Sequence, residues 1–139
     1  MAATYILDVV TPERVMLSEE VTETIVPGSE GQLGILALHA PLMTELGPGE
    51  VLTTLANGRT TSHIVISGGF LEVAPSDGHT TILADSAERA DEIDVNRAEE
   101  DLAAARQMLA DTNLGPDQQA EARRALTHAE TRLRVKRGS

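Results

Sequence analysis

The chain has 139 residues, a formal net charge of −11 and no cysteine. Tyr5 and Phe70 are its sole aromatic residues, so it lacks the stacking platforms that nucleic-acid binding proteins use, and Val, Ile and Leu must fill the core. Without cysteine, disulfides and thiolate zinc sites are excluded.

The N-terminal twenty residues contain no basic segment followed by an apolar run, so we expect no signal peptide. No window approaches the roughly 20 apolar residues of a membrane-spanning helix. We therefore expect a chain that does not insert into a membrane, although it can bind a membrane-bound partner.

Residues 3–85 show the pattern of an all-β module. The stretch VTETIVPG alternates between two faces, which is typical of a half-buried strand. The predicted faces hold Val21, Glu23 and Ile25 on one side and Thr22, Thr24 and Val26 on the other.

Turn residues separate the predicted strands at short intervals. Asn57-Gly58 favours a type I′ hairpin turn, and Ser76-Asp77-Gly78 marks a further turn. Many short strands with regular turns indicate a sandwich or a barrel.

The hydrophobic period changes at about residue 86. Asp94 is suited to cap a helix, and Gly115 is predicted to lie beside the C-cap of that helix. Pro116 suits the first turn of a second helix over residues 117–136. Each helix carries an apolar stripe with spacing four, three, four: Ala98, Leu102, Ala105 and Leu109, then Ala122, Leu126, Ala129 and Leu133.

Two matching stripes joined by a short break predict an antiparallel helical hairpin. Half of each stripe is alanine, which buries little apolar area, so the contact between the helices is expected to be weak. The sequence leaves two alternatives: a permanently packed hairpin, or one that opens onto a partner.

The C-terminal segment 121–139 is basic in an acidic chain, with two acidic residues, Glu121 and Glu130. Its basic residues are Arg123, Arg124, Arg132, Arg134, Lys136 and Arg137. They either complement the helix dipole or form a docking face for an acidic protein surface.

We find no residue pattern for catalysis or metal binding. The four histidines are dispersed and form neither H-x-H nor H-E-x-x-H. The stretch EGQLGI is not a phosphate-binding loop, and no serine lies in a nucleophile-elbow motif. The sequence therefore predicts a protein that is not an enzyme.

Three stretches resemble the epsilon subunit family of F-type ATP synthases: VPGSEGQLGILALHAPLMTEL, SGGFLEV and ADSAERADEIDVNRA. The resemblance implies an α+β fold, with an antiparallel β-sandwich of about ten strands (1–85) and a two-helix hairpin (86–139). It also implies a central-stalk subunit that binds the gamma subunit and the membrane rotor c-ring.

The resemblance further implies a regulatory ATP site in the closed hairpin, where ATP is a ligand and not a substrate. Ile93, Asp94, Arg97 and Ala98 match the family motif I/L-D-x-x-R-A, with Asp94 at the adenine and Arg97 near the phosphates. Glu88 and Arg132 also match nucleotide-lining positions, whereas His128 stands where the family has a second basic residue. Independently of any ligand, Asp94 suits a helix cap, and Arg97 has the spacing to pair with Asp101.

In an extended state of the hairpin, basic residues of the second helix are expected to contact the catalytic alpha and beta subunits and inhibit hydrolysis. These residues are Arg123, Arg124, Arg134 and Lys136, together with Arg132. By the same resemblance, segment 28–46 and the loop near His39 are expected to face the ring. The implied location is the cytoplasmic face of a bacterial membrane, or the equivalent face in a plastid.

Two other functions are compatible with parts of this pattern. A free-standing ATP-sensing module requires ATP binding without a stalk partner. A cupin-type enzyme requires clustered metal-binding histidines, which the sequence lacks.

Overall fold

A computed structural model describes residues 3–138, and the two predicted domain ends at residues 1 and 139 lie outside this range. The described residues form nine strands and two α-helices, α1 (Val95–Leu109) and α2 (Pro116–Arg137). The strands are β1 (Tyr5–Val10), β2 (Val15–Gly28), β3 (Gly31–Leu36), β4 (Leu42–Leu46), β5 (Gly49–Leu55), β6 (Thr61–Ile66), β7 (Gly69–Ala74), β8 (His79–Ala84) and β9 (Ala87–Arg89). The predicted α+β fold, a β-sandwich followed by a helical hairpin, is confirmed.

The strands follow the order β1-β8-β7-β4-β2-β5-β6-β9, and β3 pairs with β2. The first half of β2 pairs with β1 and its second half with β3 and β5, so this one strand joins both parts of the sandwich. The predicted antiparallel pairing holds for the other strand pairs, while the pair β1–β8 is parallel. The last strand, β9, lies beyond the predicted boundary at residue 85 and pairs with β6.

A β-bulge in β2 changes the predicted faces of this strand. The register against β5 shifts between Val21 and Glu23, which leaves Thr22 as the extra residue. Val21 is therefore buried on the same side as Thr24 and Val26, while Glu23 is exposed. Strict alternation predicted the wrong face for Val21 because a bulge displaces the pleat by one residue.

The predicted hairpin at Asn57-Gly58 joins β5 to β6, but its turn is not type I′. Gly58 has φ 72°, whereas Asn57 is not in the left-handed region that a type I′ turn requires. The Asn57 carboxamide oxygen instead accepts bonds from the backbone N–H groups of Arg59 and Thr60, each at 2.8 Å. This side-chain turn stabilises a longer loop.

The core of the sandwich is aliphatic. Tyr5 is its aromatic member, and its hydroxyl lies 2.7 Å from Thr24 Oγ1 and 2.9 Å from the Ile35 carbonyl oxygen. Seven of its large, fully buried side chains come from six different strands: Leu7, Met16, Ile35, Ile64, Ile66, Leu71 and Ile82.

The helical hairpin has the predicted order of elements. Ala98 and Ala105 of α1 are buried, as are Ala122, Ala129 and Leu133 of α2. Gly115, predicted beside the end of α1, is instead the N-cap of α2, and its carbonyl accepts the Gln119 N–H at 3.0 Å. Helix α1 ends at Leu109, with Ala110 as its C-cap, so the connection between the helices is longer than its turn residues predicted.

Candidate functional site

The entry into α1 is held by polar contacts. Asp94 is the N-cap, and its Oδ1 accepts the Arg97 backbone N–H at 3.1 Å, as predicted. Two residues before it, Glu92 accepts two bonds from the Arg14 guanidinium, at 2.8 and 3.0 Å. The hydrogen bond from Arg14, with a second from the Arg89 backbone N–H, lowers the pKa of Glu92 to about 2.

Arg132 of α2 is the centre of an ion-pair cluster that we call the Arg132 cluster: Glu88, Arg97, Asp101 and Arg132. The Arg132 side chain is only 10% exposed. Its Nε donates to Glu88 of β9, and its Nη1 donates to Asp101 of α1 at 3.1 Å. Arg97 Nε lies 3.6 Å from the other oxygen of Asp101. The cluster joins the sheet, α1 and α2, and its two guanidinium and two carboxylate charges balance.

His128 lies one helical turn before Arg132 and is half-buried. Burial lowers the pKa of His128, and the positive charge of Arg132 lowers it further against the opposing influence of Glu88 and Asp101. The imidazole is therefore held in its neutral form, and it adds no permanent charge to the cluster.

Three of the six predicted ATP-site residues, Glu88, Arg97 and Arg132, line one open cavity of about 340 Å³. His128 and Asp101 line it as well. The other three predicted residues do not.

Ile93, Asp94 and Ala98 serve the hairpin itself. Ile93 packs against Val65 of the sheet and Val135 of α2, Asp94 caps α1, and Ala98 is fully buried. Sequence reasoning missed the contact of Asp101 with Arg132 and treated Asp101 as the partner of Arg97 alone. The i,i+4 spacing is visible in the sequence, but the register of α1 against α2 is not.

The predicted inhibitory residues lie in two separate places. Arg134 pairs with Glu50 of β5 at 3.2 Å, and Lys136 donates to the Ala90 carbonyl at 3.2 Å. Arg123 and Arg124 instead line a cavity of about 370 Å³ between α2 and loops of the sandwich. Four of these cations therefore face the chain's own sandwich in this closed state.

An apolar strip crosses the outer face of the sandwich. Met43 on β4, Phe70 on β7 and Leu83 on β8 are exposed by 70%, 53% and 56%. Phe70 is the register partner of Leu83, and Leu83 is the register partner of Val10 on β1. Large apolar side chains placed side by side on an exposed face mark an interaction surface. We call Met43, Phe70 and Leu83 the outer strip.

The predicted ring-facing segment 28–46 runs from the end of β2 through β3 to β4. At its turn, Leu38 has φ 64° and is 85% exposed, and His39 Nδ1 lies 2.7 Å from the Ala40 carbonyl oxygen. The turn therefore presents an apolar side chain to solvent.

Within residues 3–138, no helix is long and apolar enough to cross a membrane. In the same part of the chain, no three His, Asp or Glu side chains lie close enough to share a metal ion.

Comparison with known proteins decides the family. Residues 4–90 match the beta-sandwich domain of the ATP synthase Delta/Epsilon chain. An ATP synthase epsilon chain from Herpetosiphon aurantiacus is 50% identical over 93% of this chain and 91% of its own length. This chain belongs to the ATP synthase epsilon-chain family. A second epsilon chain, from Solibacter usitatus, is 46% identical over 96% of both chains.

Solved structures agree with this family. A chain of the Euglena gracilis mitochondrial ATP synthase, in a structure of OSCP, F1 and the c-ring, superposes with a TM-score of 0.78 at 26% identity. The match covers 94% of this epsilon-family chain and 80% of the Euglena chain. A chain of the Tetrahymena thermophila mitochondrial ATP synthase central stalk and c-ring shares the fold, with a TM-score of 0.69 at 12% identity. The two superpositions show that the fold of this chain is shared with chains of mitochondrial ATP synthases.

Proposed function

We propose that this chain couples the membrane rotor ring to the catalytic head of an F-type ATP synthase and restrains ATP hydrolysis through its C-terminal helices. The observation that carries the proposal is the weak attachment of the helical hairpin to the sandwich. A hairpin held in this way can leave the sandwich at moderate cost and return to it.

The apolar part of this attachment is small. Val65, Ile93 and Val135 form the buried contact between the sheet, the entry to α1 and α2, with Ala90 beside them. Burial of one such side chain stabilises by roughly 1.5–3 kcal/mol, so three of them provide far less than the sandwich core. The seam between the helices is built largely of alanine, which adds little.

The remaining attachment is ionic. The pair Arg134–Glu50 is half exposed on the arginine side, and exposed pairs typically contribute about 0–1 kcal/mol. The Arg132 cluster is better shielded, but part of its Coulomb energy offsets the cost of burying its charges. The attachment is therefore small enough that binding to a partner can offset its loss and shift the hairpin to the open state.

Opening changes what the basic residues of α2 contact. In the closed state Arg132 and Arg134 pair with Glu88 and Glu50 of the chain's own sandwich. In the open state they are released, together with Arg123, Arg124 and Lys136, to contact acidic segments of the catalytic alpha and beta subunits. The same cations thus close the hairpin in one state and inhibit in the other.

The outer strip supports docking of the sandwich in the stalk. Met43, Phe70 and Leu83 offer an apolar contact for the gamma subunit, and the exposed Leu38 lies in the segment that we assign to the c-ring. We place the assembled subunit at the cytoplasmic face of the membrane, bound through these partners.

A cross-link that holds the hairpin closed tests the inhibitory role. Because the chain has no cysteine, a Glu50→Cys, Arg134→Cys variant can be bridged by a short bismaleimide at a contact that exists in the closed state. We expect the reconstituted complex to hydrolyse ATP faster with the bridged subunit than with the same variant left unbridged. Equal rates contradict an inhibitory role for the open hairpin.

ATP is our proposed regulatory ligand, at the cavity beside the Arg132 cluster. Its volume of about 340 Å³ is within the range of small-molecule sites, roughly 300–1,000 Å³. Arg97 and Arg132 would contact the phosphates there. Glu88 and Asp101 already balance both guanidinium charges, so phosphate must displace a carboxylate from Arg132. We therefore expect weak binding that favours the closed hairpin.

Calorimetric titration of the full chain with ATP tests whether ATP binds. Two variants of Asp94 then distinguish a contact with the nucleotide from the helix-capping role of this residue. Asp94→Ala removes both the cap and the carboxylate, whereas Asp94→Ser keeps a capping oxygen and removes only the carboxylate. If Asp94 contacts the nucleotide, both Asp94 variants should lose affinity for ATP. If Arg97 contacts the phosphates, Arg97→Ala should lose affinity as well. Arg106→Ala, on the last turn of α1, is the matched control. Absence of binding at millimolar ATP contradicts the proposal.

A further inference from the structure

We propose that His128 makes closure of the hairpin dependent on pH, so that a proton taken up by this side chain opens the hairpin. The inference rests on the proposed function, since it assigns a proton as a second regulator of the same movement. The supporting observation is the position of His128: it lies on α2 and faces α1 and β9, where the neighbouring charged side chains already pair with one another.

His128 lies where two cavities of the hairpin meet. On one side it lines the cavity of the Arg132 cluster, together with Ser86 and Ala87 of the sandwich. On the other side it lines a groove of about 360 Å³ between α1 and α2, with Ala105 and Met108. Opening the hairpin would therefore take the imidazole from a half-buried site into water.

Charged groups from three elements face His128. They are Arg97 and Asp101 on α1, Glu88 on β9, and Glu121 and Arg132 on α2. The two carboxylates that line the cavity with His128, Glu88 and Asp101, both bond to Arg132. An imidazolium at position 128 would have to compete with a guanidinium for these partners, and it would lie one turn from that guanidinium.

The direction of the effect follows from burial and charge. Burial, reinforced by Arg132, lowers the pKa of His128 from its ordinary value of 6.5 in the closed state. The open state exposes the imidazole and restores the ordinary value. As pH falls through about 6.5, the open state therefore takes up a proton that the closed state resists, and closure loses stability. Above that pH the imidazole is neutral in both states, and the stability of the closed state no longer depends on pH through His128.

In the assembled enzyme, protonation of His128 would increase the inhibition of ATP hydrolysis when the surrounding solution becomes acidic. Acidification favours the open hairpin, and the open hairpin is the inhibitory state under the proposed function. His128 replaces a permanent cation with one that appears only at low pH.

Fluorescence resonance energy transfer in the full-length chain tests the inference. Thr61→Cys on β6 and Glu130→Cys on α2 introduce two exposed labelling sites into a chain without cysteine. Between about pH 7.5 and about pH 5.5 we expect the opening equilibrium constant to rise, by up to about tenfold, the limit for one proton with an open-state pKa near 6.5. In the same labelled chain, His128→Gln should abolish this rise. His128→Arg should favour opening at every pH, because its charge is permanent.

His63→Gln is the matched control, since His63 contacts Glu50, the sandwich partner of Arg134. The pH response should persist in this variant, and its loss would assign the response to His63 instead. A flat pH response in a chain that still opens in about 0.5 M NaCl would overturn the inference and leave the proposed function intact. Labels that separate under none of these conditions would overturn the mobile hairpin itself.

Discussion

Arg132 of the last helix donates its Nε–H to Glu88 of the last strand, across 44 positions of sequence. The pair ties the hairpin to the edge of the sheet, and the Asp101 contact at 3.1 Å ties α1 to the same guanidinium. The Arg132 cluster is therefore the contact through which closure of the hairpin, the proposed ATP site and the titration of His128 are connected.

Glu88→Gln should weaken the closed hairpin. The substitution removes the charge that faces the buried Arg132, and loss of one partner of a shielded pair typically costs about 1–3 kcal/mol. Amide hydrogen exchange in α2 should accelerate accordingly, while exchange in the sandwich strands stays unchanged. Glu99→Gln is the control, because Glu99 is exposed and 3.9 Å from Arg137. Equal protection of α2 in both variants would contradict the role of the cluster.

Tyr5 should make the free energy of unfolding of the sandwich fall at alkaline pH. Burial raises the pKa of Tyr5 to about 12, above its ordinary value of 10. The neutral phenol thus contributes stability that is complete below pH 10 and is lost as pH rises from 10 towards 12, by up to about 2–3 kcal/mol. Phenolate absorbance reports this residue alone, since it is the one tyrosine in a chain without tryptophan.

Tyr5→Phe should lack this alkaline dependence. At neutral pH it should cost about 1–2 kcal/mol, because Thr24 and the Ile35 carbonyl lose the hydroxyl. Phenolate absorbance that appears at pH 10 in the folded native chain would show that the hydroxyl is not shielded.

Gly69→Ala should destabilise the sandwich severely. Gly69 has φ 151°, and a Cβ at this position would lie 2.1 Å from the Leu83 carbonyl oxygen. Backbone strain and the clash together should cost more than about 2 kcal/mol in urea unfolding. Gly34→Ala on β3 is the matched control, because its Cβ would enter open space at an ordinary φ. A midpoint for Gly69→Ala as high as that of Gly34→Ala would refute the strain argument.

Phe70→Ser should separate stability from docking. Phe70 is 53% exposed, so its loss should lower the free energy of unfolding by only about 1–2 kcal/mol, less than the loss of a core aromatic side chain. If the outer strip contacts gamma, the same variant should bind gamma about tenfold more weakly, since an aromatic side chain at an interface centre often contributes more than 1 kcal/mol. Thr61→Ser, exposed on β6, should bind normally. Unchanged affinity of Phe70→Ser would remove the strip from the interface.

The local elements were predictable because their signals are local. Alternation of side chains, turn residues and the four-three-four stripes each depend on neighbours within about ten positions. Asp94 at the N-cap and Pro116 in the first turn of α2 mark helix starts for the same reason. The face of Val21 and the type of the turn at Asn57 were predicted wrongly for local reasons too. The bulge at Thr22 and the longer turn at Asn57 both depart from a regular pattern.

The candidate site was predicted only in part. Glu88, Arg97 and Arg132 line one cavity, but Asp101 completes the cluster through a contact that no spacing in the sequence reveals. Ile93 and Ala98, which the family motif places in a ligand site, are buried in the packing of the hairpin.

By itself, the sequence determined which segments are strands and helices, where the helices begin and which family the chain resembles. Only the tertiary structure decided which charges pair and which apolar side chains align. The outer strip exists because Met43, Phe70 and Leu83 are brought side by side by the register of β4, β7 and β8. Such contacts depend on how distant segments pack around a shared core. The hydrophobic periodicity of a single segment does not determine the free energy of that packing.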